Sequence, residues 1–434
     1  MTAEVGVINR SAVALAADSA VTSHGGIYDS ENKLFTLSKY HPVGVMIYGN
    51  PLYMGMPWET IIKCYREERG EKSFSEIYDH ANDFFNWISA SRQSVLGESV
   101  VDGAIDTLYG QNVQDCLQNI DSAISERISK DGNGSVEDIF DNIVDGFIEY
   151  YKSLDRISNI NGEDIKEEDV REEISNTYKI AEQNRKNYES RNLTFLTEDN
   201  IGDKVEKIEK IATLQTSKGW NRQTGIVVSG FGEEEYIPHL FDFNAEPIYN
   251  GKMKVNMKRK FDTGKSTIVP FAQGEMVDRF VRGIDPDYKS TIIKYIRERL
   301  FGYPKEILEE MNERGYLDID EGDLEKLESK LEQKSNKELR KVQEDINWYE
   351  RVEHTNPIVN NLDNLPKDEL GVMAETFVNI TSFKRRVSGD ESETVGGPID
   401  VAIISKGDGF IWTKRKHYFD KELNHHFFQN YFED

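Results

Sequence analysis

The apolar and polar positions of the first fifty residues follow short runs that end at turn residues. Two β-rich runs cover residues 2–9 and 12–18, and the segments KLFTLS (33–38) and VGVMIYG (43–49) form a second pair. Short runs rich in β-branched and aromatic residues, bounded by Gly, Asn, Ser or Pro, are typical of strands. We therefore predict two strand pairs at the start of the chain.

Between residues 58 and 218 the apolar residues recur three and four positions apart, which predicts a long helical block. Strand texture returns in TGIVVSGFG, YIPHLFDFNA and MKVNMKRKFD, and STIVPFAQGEMVDRFVRG passes from strand into helix. A charged helical section covers 285–363, and a further helix, KDELGVMAETFVNITSFKRRVS, precedes the strand segments IDVAIIS and GFIWTK. Because strands and helices recur in separated groups, the sequence favours an α+β layered architecture with helical insertions over a row of independent domains.

The composition excludes several classes of partner. The formal net charge of −25 over 434 residues argues against a nucleic-acid or anionic membrane surface, since both require clustered Lys and Arg. The two cysteines, Cys64 and Cys116, are too few for a disulfide framework. No apolar run approaches the roughly 18 residues of a spanning helix, and the start of the chain lacks a signal-peptide pattern. We expect a cytoplasmic protein without nucleic-acid or membrane partners.

Two segments resemble ligand-binding loops but lack essential positions. DTGKST (262–267) ends like a phosphate-binding loop, yet Arg259 stands where that loop needs its first glycine. SKDGNGSVEDIF (129–140) has Ser129 and Phe140 where a calcium loop needs carboxylates. The histidines have no metal-ligand spacing. We expect neither a metal nor an organic cofactor.

Thr2 stands directly behind Met1, and this position has chemical meaning. Cellular aminopeptidases commonly remove an initiator Met before a small residue, which would leave Thr2 with a free α-amine beside its own hydroxyl. A hydroxyl needs a nearby base to act as a nucleophile, and an α-amine with a reference pKa of about 7.7 to 8.0 suits that task. A twisted sheet could bring Asp18 and Lys33 to Thr2, where a cation would tune the amine. Gly49 could let a substrate carbonyl approach the main chain.

At these residues the chain resembles the proteasome β-subunit and bacterial HslV group of N-terminal nucleophile (Ntn) hydrolases. The matching segments are TAEVGVI, VALAADSAVT, NKLFTL and VGVMIYGN, and later TGIVVSGFG, FAQGEMVDRF and GGPIDVAIISKGDGFIW. The resemblance implies a four-layer αββα sandwich. It predicts a discontinuous core of 1–52, 218–285 and 365–416, with a helical insertion at 53–217, a charged helical insertion at 286–364 and a C-terminal tail at 417–434.

The resemblance also implies a set of site residues. Thr2 would be the nucleophile and its amine the base, Asp18 and Lys33 the charge pair that tunes them, and the Gly49 N–H an oxyanion donor. The interval between Asp18 and Lys33 is one residue shorter than the family pattern. The residues that match positions lining the family's primary specificity pocket, and so suggest a modest apolar pocket, are Val21, Ile47 and Pro51.

The supporting residues depart from the family pattern. Where proteasome subunits have an Asp and a Ser before Gly-Gly, ESETVGGP has Ser392 and Val395. Gln273 replaces the Ser of the Ser-Gly that precedes the third helix. Glu391, Glu393 or Gln273 would have to supply substitute hydrogen bonds.

Three functional hypotheses follow. The first is a threonine-type peptidase or amidohydrolase that cleaves amide bonds of a peptide or protein through an ester on Thr2. The second is a catalytically silent proteasome-like scaffold that binds through its helical insertions. The third is a peptidase effector that a regulatory partner controls. The resemblance implies a homo-oligomer in each case.

Overall fold

The computed structural model describes residues 3–23, 26–28, 31–91, 96–131, 135–155, 157–174, 183, 201–218, 224–262, 264–316, 321–388, 396–420, 422–426 and 429. Its strands are β1 (Glu4–Ile8), β2 (Ala12–Ala17), β3 (Val21–Ser23), β4 (Gly26–Tyr28), β5 (Leu34–Thr36), β6 (Val43–Gly49), β7 (Leu52–Tyr53), β8 (Met56–Pro57), β9 (Thr224–Gly230), β10 (His239–Tyr249), β11 (Lys252–Phe261), β12 (Thr267–Pro270), β13 (Asp400–Ser405) and β14 (Gly409–Lys414). Its α-helices are α1 (Trp58–Arg69), α2 (Ile77–Ala90), α3 (Glu98–Asp131), α4 (Val136–Ser153), α5 (Glu167–Glu173), α6 (Ile201–Lys218), α7 (Glu275–Arg282), α8 (Pro286–Glu313), α9 (Glu321–Tyr349), α10 (Asn356–Leu362) and α11 (Lys367–Ser388). A π-helical turn, Glu350–Thr355, joins α9 to α10.

Two five-stranded antiparallel sheets are assembled from distant parts of the chain. The first has the strand order β12-β1-β2-β13-β14, and the second has the order β11-β10-β9-β6-β5. In the first sheet Ala17 lies opposite Glu4 on one side and opposite Asp400 on the other. The end of β2 is therefore flanked by the start of β1 and the start of β13.

Alternate residues of the central strands enter different hydrophobic clusters, as the period of a strand requires. In β2, Val13 and Leu15 belong to a cluster that also contains Met46 and Val227 of the second sheet. The intervening alanines pack with residues of α11 on the other face of the first sheet. In β6, the odd positions pack with α1, α2 and the helices that follow.

The helical block after β8 packs on the second sheet through aromatic and aliphatic side chains. Trp58, Phe84 and Phe85 are fully buried there, and Phe85 contacts Phe243 of β10 edge to face. Farther along, α3, α4, α5 and α6 pack on one another. Helices α8 and α9 form the second helical section and pack against each other.

The α+β class predicted from the sequence agrees with this mixture of helices and antiparallel sheets. The sequence pattern missed two short hairpins, β3–β4 and β7–β8, because two- and three-residue strands carry no readable period. Within the described ranges, no helix is both long enough and apolar enough to cross a membrane.

Candidate active site

A buried ion pair lies where β2 ends and β5 begins. Lys33 directly precedes β5 and Asp18 directly follows β2, and the Lys33 Nζ donates to Asp18 Oδ1 over 2.5 Å. The same ammonium donates to the carbonyl of Ala20 over 2.8 Å. The side chain of Lys33 is 5% exposed and that of Asp18 is 0% exposed. The two strand ends therefore hold one fixed, desolvated charge pair.

Asp18 also fixes two pieces of backbone. Its Oδ1 accepts the N–H of Ala3 over 3.2 Å, and its Oδ2 accepts the N–H of Gly396 over 3.0 Å. Burial raises the pKa of Asp18, while Lys33 and these two N–H groups act in the opposite direction. The carboxylate thus links the start of β1, the lysine, and the segment before β13.

A second carboxylate approaches the same lysine. Glu4, the first residue of β1, lies with its Oε1 3.6 Å from Lys33 Nζ, and its side chain is 0% exposed. Glu4 and Gly6 lie on the same face of β1, because side chains alternate along a strand. That face points toward the second sheet, since a Cβ on Gly6 would meet Leu240 and Phe271. The lysine is therefore shared by Asp18 and Glu4.

A small cleft opens beside the lysine. Its volume is about 10 Å³, which is room for roughly one water molecule. It is lined by Glu31, Asn32, Lys33, Ile47, Tyr48, Gly49, Pro51 and Trp58. The lining is mixed, because the apolar Ile47 and Pro51 share it with the polar Glu31 and Asn32.

Gly49 ends β6 at the rim of this cleft. Its φ is +89°, a conformation that favours glycine. Ile47 donates its N–H to the carbonyl of Lys33 over 2.8 Å. N–H groups two residues apart on a strand point to the same side. The Gly49 N–H is therefore directed to the side of β6 that lies beyond the start of β5.

A second lysine–aspartate pair stands next to the first. Lys416 donates from Nζ to Asp400 Oδ2 over 2.6 Å and from its backbone N–H to Oδ1 over 2.7 Å. Burial lowers the pKa of Lys416, and the nearby charges of Arg415 and Lys33 act in the same direction. Arg415 donates to the carbonyl of Leu34 over 3.2 Å. Arg415, the residue directly after β14, therefore contacts Leu34, the residue directly after Lys33.

The structure brings some of the predicted site residues together. Lys33, Ile47, Gly49 and Pro51 line one cleft, and Asp18 pairs with Lys33. Thr2 and Ser392 lie outside the described residues, as do Glu391, Glu393 and Val395. For Val21 only the backbone is described, in β3.

Gln273, the predicted supporting residue, is hydrogen-bonded to a residue of α11. Its Oε1 accepts a hydrogen bond from Arg385 Nε over 2.9 Å, and Arg385 lies on α11. Arg385 also forms an ion pair with Glu275, at the start of α7. The described contacts of Gln273 therefore join it to α11.

Sequence reasoning missed Glu4, Asp400 and Lys416. Glu4 stands inside a run that was quoted as a strand, and a charged residue at a buried strand position is a signal in itself. Asp400 and Lys416 carried no such signal, because 16 positions separate them and only the β13–β14 hairpin unites them. In the described part of the chain, no group of three or more His, Cys, Asp or Glu side chains is placed to hold a metal ion.

Comparison with known proteins yields solved structures only. No family model matches the chain, and no curated protein matches it. The chain is similar to a helical assembly of the Anbu complex from Pseudomonas aeruginosa, with 10% identity over 99% of this chain and 92% of that one and a TM-score of 0.30. It is similar to an Anbu (Gly-1) mutant from Hyphomicrobium sp. strain MC1, with 11% identity, coverage of 100% and 98%, and a TM-score of 0.28. It is also similar to Anbu, described as an ancestral beta-subunit, from Yersinia bercovieri, with 9% identity, coverage of 99% and 94%, and a TM-score of 0.25.

These matches correct the family assigned from the sequence. The assignment to the proteasome β-subunit and HslV group is wrong, because the solved structures that the chain resembles are Anbu proteins. Short strand motifs around Asp18 and Lys33 were too few to separate one group of related architectures from another. At these TM-scores the likeness carries no argument about activity, so function has to be argued from the side chains of this chain.

Proposed function

We propose that the chain is a threonine-type amidohydrolase that cleaves peptide bonds with Thr2, once processing makes Thr2 the N-terminal residue. One observation carries the proposal. Asp18, which is buried and paired with Lys33, also accepts a hydrogen bond from the N–H of Ala3. That N–H belongs to the peptide bond that joins Ala3 to Thr2. The carboxylate that holds the lysine therefore also holds the backbone one covalent bond away from Thr2.

The proposed reaction needs no group beyond these residues and water. The α-amine takes the proton of the Thr2 hydroxyl, and the oxygen forms a bond to the carbonyl carbon of the substrate. The amide C–N bond then breaks, and the proton passes from the α-ammonium to the leaving amine. Water hydrolyses the resulting ester in the reverse sense and restores the hydroxyl. A cation as near as Lys33 would favour the neutral α-amine, the form that acts as the base, because two cations close together disfavour each other.

The rim of the cleft suits the developing negative charge. The Gly49 N–H points to the side of β6 where the cleft opens, so we assign it as an oxyanion donor. Ile47 and Pro51 would contact the substrate side chain. Glu31 and Asn32, which also line the cleft, make this pocket more polar than the sequence predicts.

We further propose that the two sheets form the inner layers of a four-layer αββα Ntn-hydrolase sandwich. The shared cluster of β2, β6 and β9 side chains between the sheets supports it, as does the helical packing on both outer faces. The core would comprise 1–52, 218–285 and 365–416, with insertions at 53–217 and 286–364. Because Lys416 and Arg415 reach the candidate site, the boundary before a tail at 417–434 falls directly after site residues.

Self-association and a regulatory partner stay predictions. The second insertion gives them one physical basis, since α8 exposes the aromatic rings of Tyr288, Tyr295 and Tyr303. Exposed aromatic residues are enriched where proteins bind one another. A homo-oligomer or an activator would use such a surface.

The proposal is tested by the state and reactivity of the N-terminus. Intact-mass measurement of the purified protein determines whether Met1 is absent. Protein that begins at Thr2 is then incubated with an epoxyketone, which bonds to both the hydroxyl and the amine, and with fluorogenic peptides. We expect one adduct on Thr2 and peptide cleavage that the adduct abolishes.

Two variants complete the test. Thr2→Ala removes the nucleophile and should abolish both adduct and cleavage, whereas Thr2→Ser keeps a hydroxyl and should retain part of the activity. Retention of Met1 in the native protein, or absence of any adduct when Thr2 is N-terminal, would refute the enzyme and favour the scaffold.

A further inference from the structure

A cavity of about 450 Å³ lies at the outer edge of the second sheet. It is lined by Tyr78 of α2, by the residues from Val255 to Met257 of β11, and by the loop between α4 and α5. Volumes of about 300–1,000 Å³ are usual for ligand sites. The cavity shares no lining residue with the cleft beside Lys33, so it needs a role of its own.

The edge of β11 presents unpaired main-chain groups to this cavity. In the described part of the chain β11 is the outermost strand of its sheet. Val255 donates its N–H to the carbonyl of Ser158 over 3.4 Å, so this N–H points away from β10. The register with β10 has no shift between Val255 and Met257, and residues two apart on a strand direct their N–H and C=O groups to the same side. The N–H and C=O of Met257 therefore also point away from β10, where no described strand pairs with them.

A β-bulge limits the length of this open edge. Phe243 of β10 lies opposite Met257 and Asp242 lies opposite Arg259, so Lys258 is an extra residue of β11. A bulge bends its strand and increases the local twist. The open edge is thus confined to the neighbourhood of Met257, which suits a short extended segment and not a long strand.

The walls of the cavity beside Met257 are apolar. Val255 is buried, and Ile160 and Met257 pack against the hydrophobic cluster of the helical block. Residues directly opposite each other in an antiparallel pair have their side chains on the same face. The side chain of a residue paired with Met257 would therefore lie on the face where Tyr78 also lines the cavity.

The charge of the cavity indicates which side chain it suits. Asp155 is the single Asp or Glu among the described lining residues, and none of these residues is Lys, Arg or His. The Asp155 side chain is exposed, and no ion pair joins it to another described residue. Lys and Arg place an aliphatic stem along apolar surface and keep their charge at the end. An apolar wall with one carboxylate is complementary to such a side chain.

We propose that this cavity binds an extended peptide segment, which adds to the edge of β11 at Met257 and directs a Lys or Arg side chain to Asp155. The paired residue would accept a hydrogen bond from the Met257 N–H and donate its own N–H to the Met257 carbonyl. Main-chain hydrogen bonds at a sheet edge supply affinity, and the pocket for the side chain supplies specificity. The site goes beyond the proposed function, because binding requires neither Thr2 nor cleavage.

Four labelled pentapeptides with blocked ends test the proposal by fluorescence anisotropy with the native protein. Two have the sequences VTKTV and VTRTV. The third, VTETV, reverses the central charge, and the fourth is VTKTV with a methyl group on the backbone nitrogen of its lysine. We expect VTKTV and VTRTV to bind about tenfold more tightly than VTETV. The methylated peptide should bind about tenfold more weakly than VTKTV, because it lacks the N–H that pairs with Met257.

Two variants locate the binding. Met257→Pro removes the outward N–H at a sheet edge, a position where proline is tolerated, and should weaken both cationic peptides about tenfold. Asp155→Asn should make VTKTV and VTETV bind equally. The matched control is Asp345→Asn, which removes an exposed carboxylate on α9 and should leave all four affinities unchanged.

Absence of saturable binding of both cationic peptides at about 1 mM native protein would overturn the inference. Equal binding of the methylated and unmethylated peptides would exclude strand addition without any change to the protein. Sedimentation tests a second copy as the occupant: a native dimer that becomes a monomer in Met257→Pro would overturn the peptide proposal. Lack of an adduct on Thr2 would leave every one of these affinities unchanged, so the two proposals fail separately.

Discussion

Two buried lysines of this chain have similar bonds and different surroundings. Lys254 donates to Glu246 over 2.8 Å and to the carbonyl of Thr216 over 2.9 Å, as Lys33 does to Asp18 and the carbonyl of Ala20. Lys254 is 0% exposed and lies between the second sheet and α6, whereas Lys33 borders the cleft. Burial lowers the pKa of Lys254.

The difference in surroundings distinguishes a structural lysine from a candidate site lysine. Around Lys254 one ammonium meets one carboxylate, and the neighbouring elements cover both. Around Lys33 two carboxylates approach one ammonium, a glycine with positive φ ends the adjoining strand, and the Ala3 N–H is bonded to the same aspartate. A buried lysine does not by itself mark a site, and a position beside a cleft is the better indicator.

The largest expected effect is that of Lys33→Met. Removal of one member of a catalytic unit typically costs about 10⁴-fold in kcat. We expect a loss of that order in peptide cleavage and slow epoxyketone labelling, with a circular dichroism spectrum like that of the native protein. A Lys33→Met variant that keeps more than a tenth of native kcat would mean that both lysines are structural.

Lys254→Met should affect stability instead. Breaking a buried ion pair by removing one partner costs about 3–5 kcal/mol of unfolding free energy, because the other charge stays buried. Urea unfolding should show this loss, while kcat per folded molecule stays within twofold of native. The double variant Lys254→Met with Glu246→Leu should recover much of the stability, and a double variant as unstable as the single one would contradict this account.

Gly49→Ala should have an intermediate effect on the reaction. A Cβ at φ +89° strains the backbone by about 1–3 kcal/mol and turns the N–H that borders the cleft. We expect kcat to fall about 10-fold to 100-fold. Gly251→Ala is the matched control, since Gly251 has φ +71° and a Cβ there would meet open space. Equal losses of kcat in both variants would exclude a specific role for Gly49.

The smallest effect is a pH dependence of stability that differs in sign between the two sites. Burial raises the pKa of Asp18, so above its ordinary value of 3.8 the folded state binds more protons than the unfolded state, and stability rises as pH falls. Burial lowers the pKa of Lys254, so below 10.5 the folded state binds fewer protons, and stability rises with pH. Each slope is at most about 1.4 kcal/mol per pH unit. Urea unfolding of the native protein against Asp18→Asn at pH 4–6 and Lys254→Met at pH 8–10 measures both, and equal signs would contradict it.

The sequence predicted the strands whose side chains alternate between two packed faces. β2 and β6 are of this kind, because burial on both faces gives a short continuous apolar run bounded by turn residues. The helical blocks were also predictable, since α4 presents Phe140, Val144 and Ile148 at a spacing of four. The hairpins β3–β4 and β7–β8 were not predictable, because strands of two or three residues depend on the turn between them and show no side-chain pattern.

Of the site residues, only those next to the ends of predicted strands could be identified from the sequence. Asp18 and Lys33 stand at such ends, so strand order was enough to suggest that they meet. Asp400 and Lys416 join them through the β13–β14 hairpin, from the far end of the chain, and no local pattern encodes that packing. The family resemblance failed for the related reason that its motifs cover a few short strands and not the whole chain.

The strand order of the first sheet sets when the candidate site can form during synthesis. β2 obtains its second neighbour only when residues 400–405 have been made, and the Gly396 N–H reaches Asp18 at the same stage. Contacts between such distant residues form late, because the intervening chain must be ordered first. A nascent chain would therefore carry Asp18 and Lys33 for almost the whole of its elongation without the Gly396 and β13 contacts that complete the site. If the proposed function holds, the fold itself would delay the chemistry until the ribosome has nearly finished the chain.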